Sequence, residues 1–94
     1  MATSVIKNKL PIVVGVSKTF AFNNEANKEI TFDVSKSGYK PIGIGGWNIT
    51  TSANYYFLRL FINGNNAIAY MTHKNATTAT TTISADIYIF YIPI

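Results

Sequence analysis

His73, Glu25, Glu29, Asp33 and Asp86 are the side chains through which this chain could move a proton or hold a metal near neutral pH. Hydrolytic chemistry needs a nucleophile set against a base, a pair of carboxylates, or a metal site. His73 closes a strand-like run, and with no cysteine in the chain and no acid beside it in sequence, a surface histidine is the plainer reading. Glu29 and Asp33 fall on one side of an alternating run, but four residues of strand separate them by about 13 Å. That exceeds the carboxylate spacing of either class of glycosidase, and a pairing of one of them with Asp86 is left open. Solvated strand faces account for all four acids. No metal-ligand spacing is present, so neither metal nor cofactor is expected. Gly43–Ile44–Gly45–Gly46 is glycine-rich, but no helical pattern follows it, so it is neither a phosphate loop nor a dinucleotide fingerprint. The chain reads as non-enzymatic.

Binding chemistry is better represented. There are six Tyr, six Phe and one Trp, Trp47. Tyr and Trp join an apolar ring to a polar tip, which suits them to sugar rings and to protein interfaces. Trp47, Tyr55 and Tyr56 are therefore the candidate ligand-binding residues. Packing in the core or between subunits is the competing use of the same rings. Two Asn-x-Thr sequons, Asn48–Ile49–Thr50 and Asn75–Ala76–Thr77, matter only in a secreted eukaryotic protein.

The elements that must position these residues are strands. No window keeps an apolar stripe at helical spacing, and period-two runs separated by turn residues dominate. A first strand is expected within residues 10–22 (LPIVVGVSKTFAF), with Pro11 at its start and Gly15 marking a bulge or bend. In residues 28–35 (KEITFDVS), Ile30, Phe32 and Val34 face one way while Glu29, Thr31 and Asp33 face the other. Ser35–Lys36–Ser37–Gly38 is a turn. In residues 39–49 (YKPIGIGGWNI), simple alternation puts Ile42 and Ile44 on one face. The other face, with Gly43 and Gly45, is stripped of side chains, so a packed aromatic ring or a neighbouring subunit must approach the backbone there. Residues 50–54 form a polar loop. Residues 55–62 (YYFLRLFI) split into Tyr56, Leu58, Leu60 and Ile62 against Tyr55, Phe57, Arg59 and Phe61. Asn63–Gly64 is a strong hairpin signal, so residues 67–73 return antiparallel. After a turn at 74–78, a Thr-rich strand over about residues 80–92 closes the domain. The biased run at 77–82 (TTATTT) is read as exposed strand. The fold class is thus all-β: one small antiparallel β-sandwich, jelly-roll or Greek-key like, of six to eight strands.

Two of these strands are apolar on both faces. The last, residues 87–94 (IYIFYIPI), carries Ile87, Ile89 and Tyr91 on one side and Tyr88, Phe90, Ile92 and Ile94 on the other. A strand over one core alternates apolar and polar. With 94 residues, 48% hydrophobic and only 13% charged, the chain has few elements with which to cover a second face. It also lacks a disulfide to staple so small a core. Another copy of the chain is expected to supply the cover. Tyr55, Phe57, Phe61, Tyr88, Phe90 and Ile92 are the interface candidates. The net charge is +4, but the basic residues are scattered, so no nucleic-acid partner is expected. No apolar run approaches the roughly 20 residues of a membrane helix, and no signal peptide precedes Leu10, so neither membrane insertion nor an export signal is expected.

The order of these pieces resembles a known group. A Thr-containing strand, then GYKPIGIGGWNIT at 38–50, an aromatic–aliphatic strand, the turn at Asn63 and Gly64, and a closing IYIFYI together resemble the small C-terminal head domains of tail-fibre and other minor structural proteins of phages and prophages of Gram-positive bacteria. The resemblance spans residues 30–94. It implies a compact sandwich in the virion that trimerises at a fibre tip and contacts a host-surface glycan or protein. The departure is the lack of a shaft, which fits an excised domain or a free-standing virion protein such as a decoration subunit. Binding residues in that group lie in variable loops, so none is carried over to this chain.

Overall fold

A computed structural model describes residues 10–51, 54–75 and 78–94, residue 79 by its backbone alone. Lys7 and Lys9, the middle of the 50–54 loop, the second sequon beyond Asn75 and the start of the Thr-rich run lie outside the described residues. The described chain forms six strands: β1 (Ile12–Glu25), β2 (Asn27–Asp33), β3 (Tyr39–Ile49), β4 (Tyr55–Asn63), β5 (Asn66–His73) and β6 (Ala79–Pro93). They make two three-stranded antiparallel sheets, ordered β1–β6–β3 and β2–β5–β4. The architecture is all-β, a small β-sandwich. β1 pairs with the last strand and β2 with the one before it, as in a long hairpin rolled on itself. β3 and β4 then flank the returning strands. This is jelly-roll pairing with six strands instead of eight.

β6 lies at the centre of its sheet. Its inner face, Ile83, Ala85, Ile87, Ile89 and Tyr91, is buried throughout. Opposite stand Ile30, Phe32 and Val34 from β2 and its end, and Ala67, Ala69 and Met71 from β5. The two alanines of β5 make room for the large residues of β6, so the two layers interdigitate. Burial of a side chain such as Ile87 or Ile89 stabilises the fold by about 2–3 kcal/mol. The alternation expected in β2 is observed, with Glu29, Thr31 and Asp33 exposed between the buried residues. The β4–β5 hairpin closes through Gly64 and Asn65, with Asn63 paired to Asn66. Gly64 has φ 63°. A positive φ at the first loop position alone is the type II′ arrangement, which glycine adopts without steric cost.

Besides a register shift near the end of β1, between Asn23 and Glu25, simple alternation fails at three β-bulges in β3 and β4. In β4 the register shifts between Phe57 and Arg59. One extra residue, Leu58, is left exposed, and the parity reverses after it. Tyr55, Phe57, Leu60 and Ile62 consequently share the inner side, while Tyr56, Arg59 and Phe61 point out. β3 shifts twice, between Pro41 and Gly43 and between Ile44 and Gly46. Ile42 is thereby exposed while Ile44 packs on the core. Gly15, by contrast, is neither bulge nor bend: it pairs in unbroken register with Tyr88.

Candidate functional site

The outer face of the β1–β6–β3 sheet has two halves. Toward the Ser17 end it is polar. Ser17 Oγ donates to Asp86 Oδ1 at 2.5 Å, Thr19 and Ser84 hydroxyls lie 2.9 Å apart, and Thr50 Oγ1 donates to the Ser84 carbonyl at 3.1 Å. The register steps from there to Gly15 beside Tyr88 and Val13 beside Phe90, and the face becomes apolar. Tyr88 is 39% exposed and Phe90 43%. Val13, Ile42 and Ile94 are exposed around them, and Ile92 is half-buried.

Both rings rest on glycine. A Cβ added at Gly15 would stand 3.2 Å from Tyr88 Cε1, and one at Gly45 would stand 3.0 Å from Phe90 Cε2 and Cζ. Of the two glycines expected to let a ring approach the backbone, Gly45 does so, while a Cβ at Gly43 would meet Phe90 only at 3.9 Å; the ring comes from the same chain. Each aromatic is shielded from below by bare backbone and open to solvent above.

The residues expected to bind or associate do not form one site. Tyr55 and Phe57 belong to the core: Tyr55 is only 6% exposed and its ring lies 4.7 Å from that of Phe22. They are corrected from interface to core residues: both precede the β4 bulge and face inward, and the bulge turns only the later Arg59 and Phe61 outward. The Tyr55 hydroxyl is buried without a hydrogen-bond partner among the described residues. Phe61 lies on the outer face of the other sheet, away from Tyr88, Phe90 and Ile92. Trp47, 53% exposed, pairs with Ile87 at the sandwich rim and meets Phe57 edge-on at 6.0 Å. Tyr56 faces out beside Thr72. A shared sugar platform of Trp47, Tyr55 and Tyr56 is therefore not assembled.

The titratable groups are equally dispersed. His73 Nδ1 accepts from the Asn75 N–H at 3.1 Å, and the ring stands edge-on to Tyr55. Asp33 accepts from the Ser35 hydroxyl at 2.7 Å and its N–H at 3.0 Å, which holds its carboxyl below the usual range. Glu29 accepts from the Tyr70 hydroxyl and raises that phenol. Glu29 and Asp86 occupy the outer faces of opposite sheets with the core between them, so the open glycosidase pairing is not formed. Sequence reasoning did not single out Val13 and Ile42; only the register with β6 reveals Val13, and only the bulge exposes Ile42. Compared with family models, curated proteins and solved structures, the chain matches none of them.

Proposed function

We propose that this chain is a non-enzymatic structural and adhesion domain of a phage particle, a fibre-tip module that trimerises and contacts a host-surface glycan or protein. The observation that carries the reading is the apolar half of the β1–β6–β3 outer face, bare in a single chain. Contiguous apolar surface of this kind marks an interaction site. Phe90 alone leaves 43% of its surface in water. For a side chain of about 200 Å² that is about 85 Å², or about 2 kcal/mol when covered, roughly a 30-fold gain in association constant. Closed symmetry with one self-associating patch per subunit is the form such a face favours. The resemblance of residues 38–50 and of the closing strand to fibre head domains supports the virion setting.

Size-exclusion chromatography with light scattering tests this. The expected result is a species three times the 10.4 kDa monomer mass at micromolar concentration, converted to monomer by Phe90→Lys with the β-type circular dichroism spectrum retained. A wild-type monomer under these conditions would sink the reading. The half-exposed Trp47 favours one second reading, a monomeric carbohydrate-binding module. In that case Trp47→Ala removes glycan-array binding and Phe90→Lys does not.

A further inference from the structure

We infer that the end of the sandwich where the β2–β3 turn meets the β4–β5 hairpin is a binding site for an acidic sugar, its carboxylate or phosphate held by Lys36 and Lys40. The inference deepens the adhesion reading by naming a ligand class and a place for it. It does not use Tyr88 or Phe90, although Lys40 pairs with Ile92 at the edge of their face.

The site is a cavity of about 390 Å³ whose lining includes Lys36, Ser37, Tyr39, Lys40 and Asn65. That volume falls within the range of small-ligand pockets. Its walls are fixed by backbone hydrogen bonds. The Val34 N–H donates to the Asn65 carbonyl at 3.0 Å, tying the turn to the hairpin. The Ile94 N–H donates to the Gly38 carbonyl at 3.1 Å, tying the turn to the end of β6. The turn itself closes from the Tyr39 N–H to the Lys36 carbonyl at 3.1 Å, with Gly38 at φ 80°. That is a type II turn, whose third position requires a positive φ. Three chain segments are thus locked around one concavity, an arrangement that positions side chains before a ligand arrives.

The chemistry of the lining points to an anion. Neither Lys36 nor Lys40 has a carboxylate partner among the described residues; the ion pair there is Lys28 with Glu25. Asp33, the acid next to the turn, is occupied by the Ser35 N–H and hydroxyl. The Lys36 ammonium is held over the Tyr39 ring, 5.8 Å from its centroid, so it is placed without being neutralised. Lys36 and Lys40 both line the concavity, so either ammonium can serve an oxyanion bound there, and charge-assisted bonds are the strong class of hydrogen bond. Beside them, the Ser37 hydroxyl and the Asn65 amide suit sugar hydroxyls, and the half-buried Tyr39 ring suits the apolar face of a pyranose. A nucleic acid would need a continuous basic stripe, and this chain's lysines do not form one.

The test is a titration of the isotopically labelled full chain, followed by amide chemical shifts, with sodium glucuronate, glucose 1-phosphate and neutral glucose in turn. The expected result is saturable movement of the amides of residues 35–40 and 65 with one or both acids and none with glucose. Raising salt from about 20 to about 300 mM should weaken the binding, because exposed charge interactions are screened over that range. Saturation by glucuronate alone identifies a carboxylate ligand, and by glucose 1-phosphate alone a phosphate. The double variant Lys36→Gln, Lys40→Gln should bind at least about tenfold more weakly, with the rest of its spectrum unchanged. Equal movement with glucose, unchanged affinity in the double variant, or no saturation by either acid overturns the site. The mass of the same sample separates the two proposals: a monomer that binds acid overturns self-association alone, and a trimer blind to both acids overturns this site alone.

Discussion

Tyr91→Phe is the substitution whose cost follows most directly from the structure. Tyr91 lies on the inner face of β6, 2% exposed, and its hydroxyl donates to the Val34 carbonyl at 2.7 Å. Val34 is buried at the end of β2, so this one bond crosses the sandwich from sheet to sheet. The Phe variant keeps the ring and its edge contact with Tyr39 at 6.3 Å, so the apolar contribution is preserved. The loss is a hydrogen bond, which leaves a desolvated carbonyl behind. That costs about 1–3 kcal/mol, and at a central 1.5 kcal/mol a domain of this size melts about 6–12 °C lower. The pH dependence has a definite sign. Burial, and next the charge of Asp33, raise the Tyr91 phenol above its ordinary range. Above about pH 10 the unfolded chain ionises this phenol while the folded chain keeps its proton. The stabilisation is complete below pH 10 and is lost as pH rises toward the folded value. Tyr91→Phe lacks that loss. Thermal melts of both proteins at one concentration, at pH 7 and about pH 10.5, should show the gap between them narrowing at the higher pH. Equal stability at pH 7, or a gap that does not change with pH, would refute the cross-sheet role of this hydroxyl.

Two further predictions concern the outer faces and the turn. Gly45→Val forces the Phe90 ring off its glycine bed and should cost about 1–2 kcal/mol. Because the clash is between these two residues, adding Phe90→Ala should recover most of that loss, as a double-mutant cycle by urea denaturation can measure. Asp33 is held low by the Ser35 hydroxyl and then its N–H, so its contribution is present above the ordinary carboxylate pKa and is lost as pH falls through the lowered one. Asp33→Asn should flatten that part of the acid limb below about pH 4, and an unchanged limb in acid titration by circular dichroism would remove Asp33 from the account.

Much of the fold was legible from alternation. Ile30, Phe32 and Val34 declare a one-sided strand, the asparagine–glycine pair at 63 and 64 declares a hairpin, and β6 declares its core face through Ile87, Ile89 and Tyr91. What alternation cannot carry is a bulge. One extra residue at Leu58 reverses every later side chain of β4, yet nothing in the run YYFLRLFI distinguishes a bulged strand from a regular one. The grouping of Tyr55 and Phe57 with Phe61 on one interface face failed for this reason. Gly15 misled in the opposite sense, since a strand glycine marks a bulge or a close approach with the same letter, and only the facing Tyr88 decides between them. The end pocket was illegible because its members, residues 35–40, Asn65 and Ile94, are distant in sequence and meet only through the pairing of β2 with β5 and of β3 with β6.

Both outer faces of the sandwich carry exposed aromatic rings and differ in how those rings are covered. On the β2–β5–β4 sheet the Arg59 guanidinium lies 5.1 Å from the Phe61 ring centroid and 5.3 Å from that of Tyr70. Tyr70 is in turn bonded to Glu29. A strand-to-strand row of Glu29, Tyr70 and Arg59 therefore roofs this face with charge from its own chain, and docking there would require that charge to be desolvated. On the β1–β6–β3 sheet no charged group is stacked over Tyr88 or Phe90 among the described residues. Those rings lie against the bare backbone of Gly15 and Gly45. Of two aromatic faces, one is covered by its own charged groups, and the other leaves Tyr88 and Phe90 exposed. This asymmetry leaves the uncovered apolar surface on β6 and separates Phe61 from it, although both strands looked equally two-faced in sequence.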